Sequence, residues 1–104
     1  MSDIPPEWDN ELGAALHGAL VLVGITREAG DAIMHEQFFG TVTQANAEGV
    51  ELMLGGTREG ERYRLPPDPR AFDRADPGRY RLQSTGETLD NPDFLSTWTI
   101  TSGE

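Results

Sequence analysis

The stretch that decides the fold is Phe38-Phe39-Gly40-Thr41-Val42-Thr43-Gln44-Ala45-Asn46-Ala47-Glu48-Gly49-Val50-Glu51-Leu52-Met53-Leu54. An aromatic and β-branched arm leads into Asn46-Ala47-Glu48-Gly49, and an arm alternating apolar and polar residues leads away. This is the pattern of a β-hairpin. Strand alternation puts Phe38, Gly40 and Val42 on one face and Phe39, Thr41 and Thr43 on the other, with Val50, Leu52 and Leu54 inward and Glu51 and Met53 opposite. Gly49 suits the positive φ of a type I turn plus bulge. The other readable segments place most simply as strands beside this hairpin.

Upstream, residues 19–26 read Ala-Leu-Val-Leu-Val-Gly-Ile-Thr, apolar on both alternating faces. That suits a strand covered on both sides, or one that bends at Gly24 around a small barrel. Residues 28–31 form a turn around Gly30, and the next strand starts near Ile33 or Met34. Residues 1–15 make an N-terminal extension, either loose or a short helix opened by Pro5 and Pro6 with Trp8, Leu12 and Leu16 on one face.

Downstream of a Gly55–Gly60 turn the tetrapeptide Arg62-Tyr63-Arg64-Leu65 appears, and it returns as Arg79-Tyr80-Arg81-Leu82. As strands, both copies put Tyr and Leu on one face and the two arginines on the other. Between them Pro66 and Pro67 stop the strand, Asp68 caps and Pro69 opens a short 3-10 turn near residues 69–74, and Phe72 asks for burial. Residues 84–93 read as a loop and residues 95–101 as a strand with threonines out and Trp98 and Ile100 in. The expected architecture is mainly β. It is one small, strongly bent antiparallel barrel of five or six strands over residues 16–104, SH3-like, with a short 3-10 turn and the N-terminal extension.

The words Leu22-Val23-Gly24-Ile25-Thr26, Leu65-Pro66-Pro67-Asp68, Pro77-Gly78-Arg79-Tyr80-Arg81-Leu82, Ser84-Thr85-Gly86-Glu87, Asn91-Pro92-Asp93-Phe94 and Thr97-Trp98-Thr99-Ile100 resemble an uncharacterised family of small bacterial proteins. The resemblance spans most of the chain after Leu16 and transfers no catalytic residue. At fold level the pattern is similar to SH3-like and Sm-like small barrels, a likeness that carries no function by itself.

Charge narrows the partners. The net charge is −10, from 18 acidic residues and 8 arginines, with no lysine. Residues 1–51 contain a single arginine, Arg27, whereas the other seven fall between Arg58 and Arg81. A field of this sign opposes phosphate backbones and favours a basic partner. The chain has no cysteine, which removes disulfides, thiol nucleophiles and thiolate metal sites and fits a reducing cytoplasm. The start of the sequence predicts no secretory leader, and its longest apolar run is far short of the ~20 residues of a membrane span.

No catalytic, cofactor-binding or metal site is expected. His17 and His35, joined by a carboxylate from Glu11, Glu28, Asp31 or Glu36, would make a metal site if their strands met, but no ligand spacing supports it. Ser84, Ser96 and Ser102 lie in no nucleophile elbow, and Gly55, Gly56 and Gly60 match no phosphate-binding loop and read as a turn. Glu87, Asp90 and Asp93 share one segment, where turn chemistry already accounts for them. The expected function is a non-enzymatic acidic binding module that contacts a basic protein partner, of the immunity or inhibitor kind, with Glu48 and Glu51 as acidic contact residues. The second reading is an RNA-binding small barrel using Arg62, Arg64, Arg79 and Arg81 as one face, and the third a small hydrolase or metal-dependent enzyme. Self-association is expected through an edge strand, at residues 97–101 or 19–26.

Overall fold

The computed structural model describes residues 7–101. Its first element is a two-turn helix, α1 (Asn10–Leu16), which opens at Asp9. The Asp9 carboxylate accepts from the Glu11 and Leu12 amides at 2.9 and 3.2 Å, meeting donors that a helix start leaves unpaired. The start expected at Pro5 and Pro6 lies outside the described residues. Leu16 is fully buried, and Trp8 and Leu12 lean on the core, so the expected face is used. Gly13 lets the helix lie close to the sheet: a Cβ there would stand 3.0 Å from the Trp8 ring and 3.3 Å from the Ala45 carbonyl oxygen.

Two long strands follow. β1 (Leu20–Ala29) and β2 (Ala32–Asn46) pair antiparallel from Leu20↔Thr41 to Ala29↔Ala32, and a two-residue tip, Gly30-Asp31, joins them with Gly30 at φ +60°. β3 (Gly49–Leu54) pairs back onto β2 down to Asn46↔Gly49. The turn falls where the sequence places it, with the Asn46 side chain accepting from the Glu48 amide at 2.8 Å and Gly49 at φ +149°. The bulge is further along, between Val42 and Gln44, where the Thr43 hydroxyl donates to the Glu51 carbonyl at 3.3 Å. Phe38, Val42, Val50, Leu52 and Leu54 are all buried, as alternation requires.

The rest of the chain adds a 3-10 turn (Gly56–Arg58), β4 (Arg62–Leu65), a second 3-10 turn (Pro69–Ala71), β5 (Phe72–Arg74), β6 (Arg79–Arg81), β7 (Thr88–Asp90) and β8 (Phe94–Thr101). Six strands form one sheet in the order β4-β3-β2-β1-β8-β5, and β6 and β7 form a separate two-stranded sheet. The 3-10 turn at Pro69 is capped by Asp68 and delivers Phe72 to the core, as expected.

The architecture is mainly β, and it departs from the expected small, strongly bent antiparallel barrel in three ways. The six-stranded sheet is not closed, since its outer strands β4 and β5 do not pair. Both nevertheless feed one core, through Leu65 and Phe72, so the sheet curls without closing. β1 and β8 run parallel, from Val21↔Phe94 to Glu28↔Thr101. β7 occupies part of the segment read as a loop, because three residues are too short for a periodicity signal.

β1 explains its own composition. Val21, Val23 and Ile25 face the main core, while Leu22 faces a second cluster with Leu89 of the small sheet and Leu82 just past its first strand. Of the two readings open for an apolar run on both faces, the strand covered on both sides is the one adopted. Each such side chain contributes about 1.5–3 kcal/mol on burial. The same placement rules out residues 19–26 as a pairing edge, because β2 and β8 flank them. At the other end of the sheet, Ile100 is 43% exposed rather than inward, and Trp98 is half-buried on the rim, edge-on to Phe72 at 6.1 Å. The Trp98 indole donates to the buried Ser96 hydroxyl at 2.8 Å.

Candidate functional site

The four arginines of the repeated tetrapeptide divide between the two sheets: Arg62 and Arg64 lie on β4, and Arg79 and Arg81 on β6. Alternation within each copy is as expected, with the arginines exposed and the tyrosines turned toward apolar clusters. Tyr63 packs on Phe38 at 4.8 Å between ring centres, and the Tyr80 hydroxyl donates to the Asp76 carbonyl at 2.7 Å. Arg79 is held by Asp90 at 2.8 Å, and Arg64 stands opposite Glu51 in the β3–β4 register. The Asp90 carboxyl is held below the usual carboxylate range by the hydrogen bond and charge of Arg79.

The acidic residues are spread differently. Glu48 sits in the β2–β3 turn, and Glu51 on the outward side of β3 accepts from the Thr43 hydroxyl at 3.2 Å. The N-terminal turn of α1, with Glu7, Asp9 and Glu11 about it, lies toward the same end of the molecule, because Gly13 abuts Ala45 and the Gly18 amide bonds the Val42 carbonyl at 2.9 Å. The ion pairs among the described residues join Arg27 and Arg58 to Glu36, Arg58 to Glu61, Arg70 to Asp68 and Arg79 to Asp90. None of them includes Glu7, Glu11, Glu48 or Glu51.

The carboxylates considered for acid–base work each serve the fold. Glu87 accepts from the Thr57 amide at 2.9 Å and the Thr85 hydroxyl at 2.8 Å, tying the small sheet to the 3-10 turn at Gly56. Gly56 is required there: its φ is +65°, and a Cβ would collide with the Glu87 carboxylate. Asp90 holds Arg79, and Asp93 accepts from the Leu20 amide at 2.9 Å. The two histidines are far apart. His17 closes α1 next to the start of β1, whereas His35 pairs with Thr26. The seven residues from Leu20 to Thr26 span six rises, roughly 20 Å.

Sequence reasoning missed one feature. The β6–β7 connection crosses β2, where the Ser84 hydroxyl accepts from the Gln37 amide at 3.1 Å and the Gln83 amide donates to the Gln37 side chain at 2.5 Å. Beside this contact an open hollow of about 540 Å³ is lined by Gly24, Thr26, His35, Gln37, Ser84 and Thr97. The His35 ring lies 3.2 Å from the Thr26 hydroxyl. No local signal marks this hollow, since it depends on residues 47 positions apart. Arg58 closes the adjoining corner, stacked over Phe38 at 4.8 Å and bonded to Glu36 at 2.9 Å and Glu61 at 3.0 Å. Those two carboxylates, the Glu61 hydrogen bond foremost, raise its already high pKa.

No helix among the described residues is long and apolar enough to cross a membrane. Comparison with known proteins finds no family model, no curated protein and no solved structure that matches the chain.

Proposed function

We propose that this protein is a non-enzymatic acidic binding module that engages a basic protein partner through the end built from α1 and the β2–β3 turn. The observation that carries this reading is a group of carboxylates at that end that enter none of the ion pairs among the described residues. The arginines Arg27, Arg58, Arg70 and Arg79 hold carboxylates elsewhere, while Glu7, Glu11, Glu48 and Glu51 enter no ion pair among the described residues. Negative charge at this end, with Arg64 opposite Glu51 as the nearby cation, gives long-range steering toward a cationic surface. A cytoplasmic role of the immunity or inhibitor kind fits this chemistry.

RNA binding is the weaker reading, because its four arginines do not share a sheet face and the tyrosines that would stack on bases pack inward. The separating experiment is capture from host lysate with three baits: the native chain, a Glu7→Gln/Glu11→Gln/Glu48→Gln/Glu51→Gln variant and an Arg62→Ala/Arg64→Ala/Arg79→Ala/Arg81→Ala variant. The expected result is a basic protein that is lost at high salt and from the glutamine bait, and kept by the alanine bait. Recovery of RNA that only the alanine bait loses overturns the proposal.

A further inference from the structure

β5 and β8 are neighbours in the six-stranded sheet, yet residues 76–92 leave that sheet between them. The neck of the excursion is closed: the Ala75 amide donates to the Asp93 carbonyl at 3.1 Å, and Asp93 is tied to Leu20 of β1 by bonds of 2.8 and 2.9 Å. Inside the excursion β6 and β7 satisfy one another. The Leu82 amide donates to the Glu87 carbonyl at 2.8 Å, the Asn91 amide to the Gly78 carbonyl at 2.7 Å, and the Asp90 carboxylate holds Arg79. At the joint, Pro77 and Pro92 have no amide to give, so the ladder is interrupted between neck and hairpin. Among the described residues no backbone-to-backbone hydrogen bond joins residues 76–92 to the rest of the chain.

What holds the hairpin down is different in kind. Two side-chain latches cross the boundary: Gln83 and Ser84 bond Gln37 of β2, and Glu87 accepts from the Thr57 amide at 2.9 Å and hydroxyl at 3.4 Å. Gln83, Ser84 and Thr57 are exposed, so water competes for these bonds. Beyond them, Tyr80, Leu82 and Leu89 pack in one apolar cluster with Leu20, Leu22, Phe39 and Leu95. The main core is a separate cluster on the opposite face of β1. We infer that residues 76–92 form a hinged flap, which opens as a unit about the Ala75–Asp93 neck while the six-stranded sheet stays folded. A segment held by few buried apolar contacts and by solvent-exposed bonds opens at a lower free energy than the whole molecule. Opening uncovers Leu22, Phe39 and Leu95, and it withdraws Gln83 and Ser84, the wall that the flap gives to the hollow over Gly24, Thr26 and Thr97. The flap therefore controls access to a polar shelf and an adjoining apolar patch on one face of the sheet.

The unmodified chain carries its own reporters. The Gln37, Thr57 and Gln83 amides are bonded across the boundary, so they are expected to exchange hydrogen through one shared opening, with protection roughly tenfold or more below that of Val23. Thiol labelling gives an independent measurement, because the chain has no cysteine. Leu22 and Val23 are adjacent on β1 and both buried, one under the flap and one in the main core. Leu22→Cys should react with a water-soluble aromatic disulfide about tenfold or more faster than Val23→Cys. Adding Glu87→Ala removes one latch, and should speed labelling of Leu22→Cys several-fold while leaving Val23→Cys unchanged. Equal labelling of the two cysteines, or an unmoved Leu22→Cys rate with Glu87→Ala, overturns the inference. So does protection of the three latch amides that is unrelated among them or equal to that of Val23, since the flap then does not open as a unit of its own.

Discussion

Arg62-Tyr63-Arg64-Leu65 and Arg79-Tyr80-Arg81-Leu82 are the same four letters in the same local conformation, with arginines exposed, tyrosine half-covered and leucine buried in both. Their surroundings differ completely. The first is the outer strand of the six-stranded sheet, and Leu65 joins a core that α1 and all six strands build. The second forms β6 of the two-stranded sheet and ends just past it at Leu82, which meets only Leu22 and Leu89 as buried neighbours. A tetrapeptide dictates which side chains point inward, and the residues around it decide into what.

The largest effect that tests this contrast comes from the leucines. Leu65→Ala and Leu82→Ala each remove a buried side chain and should cost about 2–5 kcal/mol. The two losses should be distributed differently. Leu65→Ala is expected to lower the unfolding midpoint of the whole chain. Leu82→Ala should loosen the small sheet first, so that hydrogen exchange quickens at the Tyr80 and Leu89 amides well before Val23. Uniform acceleration across all three amides would show that the two sheets open as one unit.

A smaller difference separates the tyrosines. Tyr80→Phe removes the hydroxyl that donates to the Asp76 carbonyl and should cost about 0.5–1.5 kcal/mol. Tyr63→Phe keeps the ring that packs on Phe38 and should leave the denaturation midpoint nearly unchanged. Equal losses would mean that the two tyrosines are used alike.

The smallest effect is electrostatic. Arg79 depresses the Asp90 pKa, so the stability this carboxylate contributes is complete above the unfolded carboxylate range near pH 4 and is lost as pH falls through its lower folded value. Arg79→Ala should therefore remove a small part of the acid-side loss of stability, measurable at low salt below about pH 4. Arg62→Ala, on the other copy, should leave that limb unchanged. The pair is exposed, so added salt should shrink the difference.

Much of the fold was legible where a local rule operates. The Asn46–Gly49 turn, the inward set of Phe38, Val42, Val50, Leu52 and Leu54, and the Asp68-Pro69 turn that delivers Phe72 all follow from alternation and turn chemistry. Trp98 and Ile100 were less legible, because alternation tells which face a residue takes and not where the core ends along the strand. The candidate surfaces divide the same way. Exposure of the arginines could be read from each tetrapeptide, but their allotment to two sheets could not.

The sequence by itself determined the mainly β character, the hairpin at residues 38–54, the alternation of each strand, and the concentration of net negative charge in the first half of the chain, where Arg27 is the single arginine. These follow from short-range sterics and residue chemistry. Tertiary structure alone decided that β1 and β8 run parallel, that the sheet curls without closing, and that β6 and β7 stand apart. Each of those depends on pairings between residues far apart in the chain, where the competing arrangements bury similar side chains and differ only in which strand meets which.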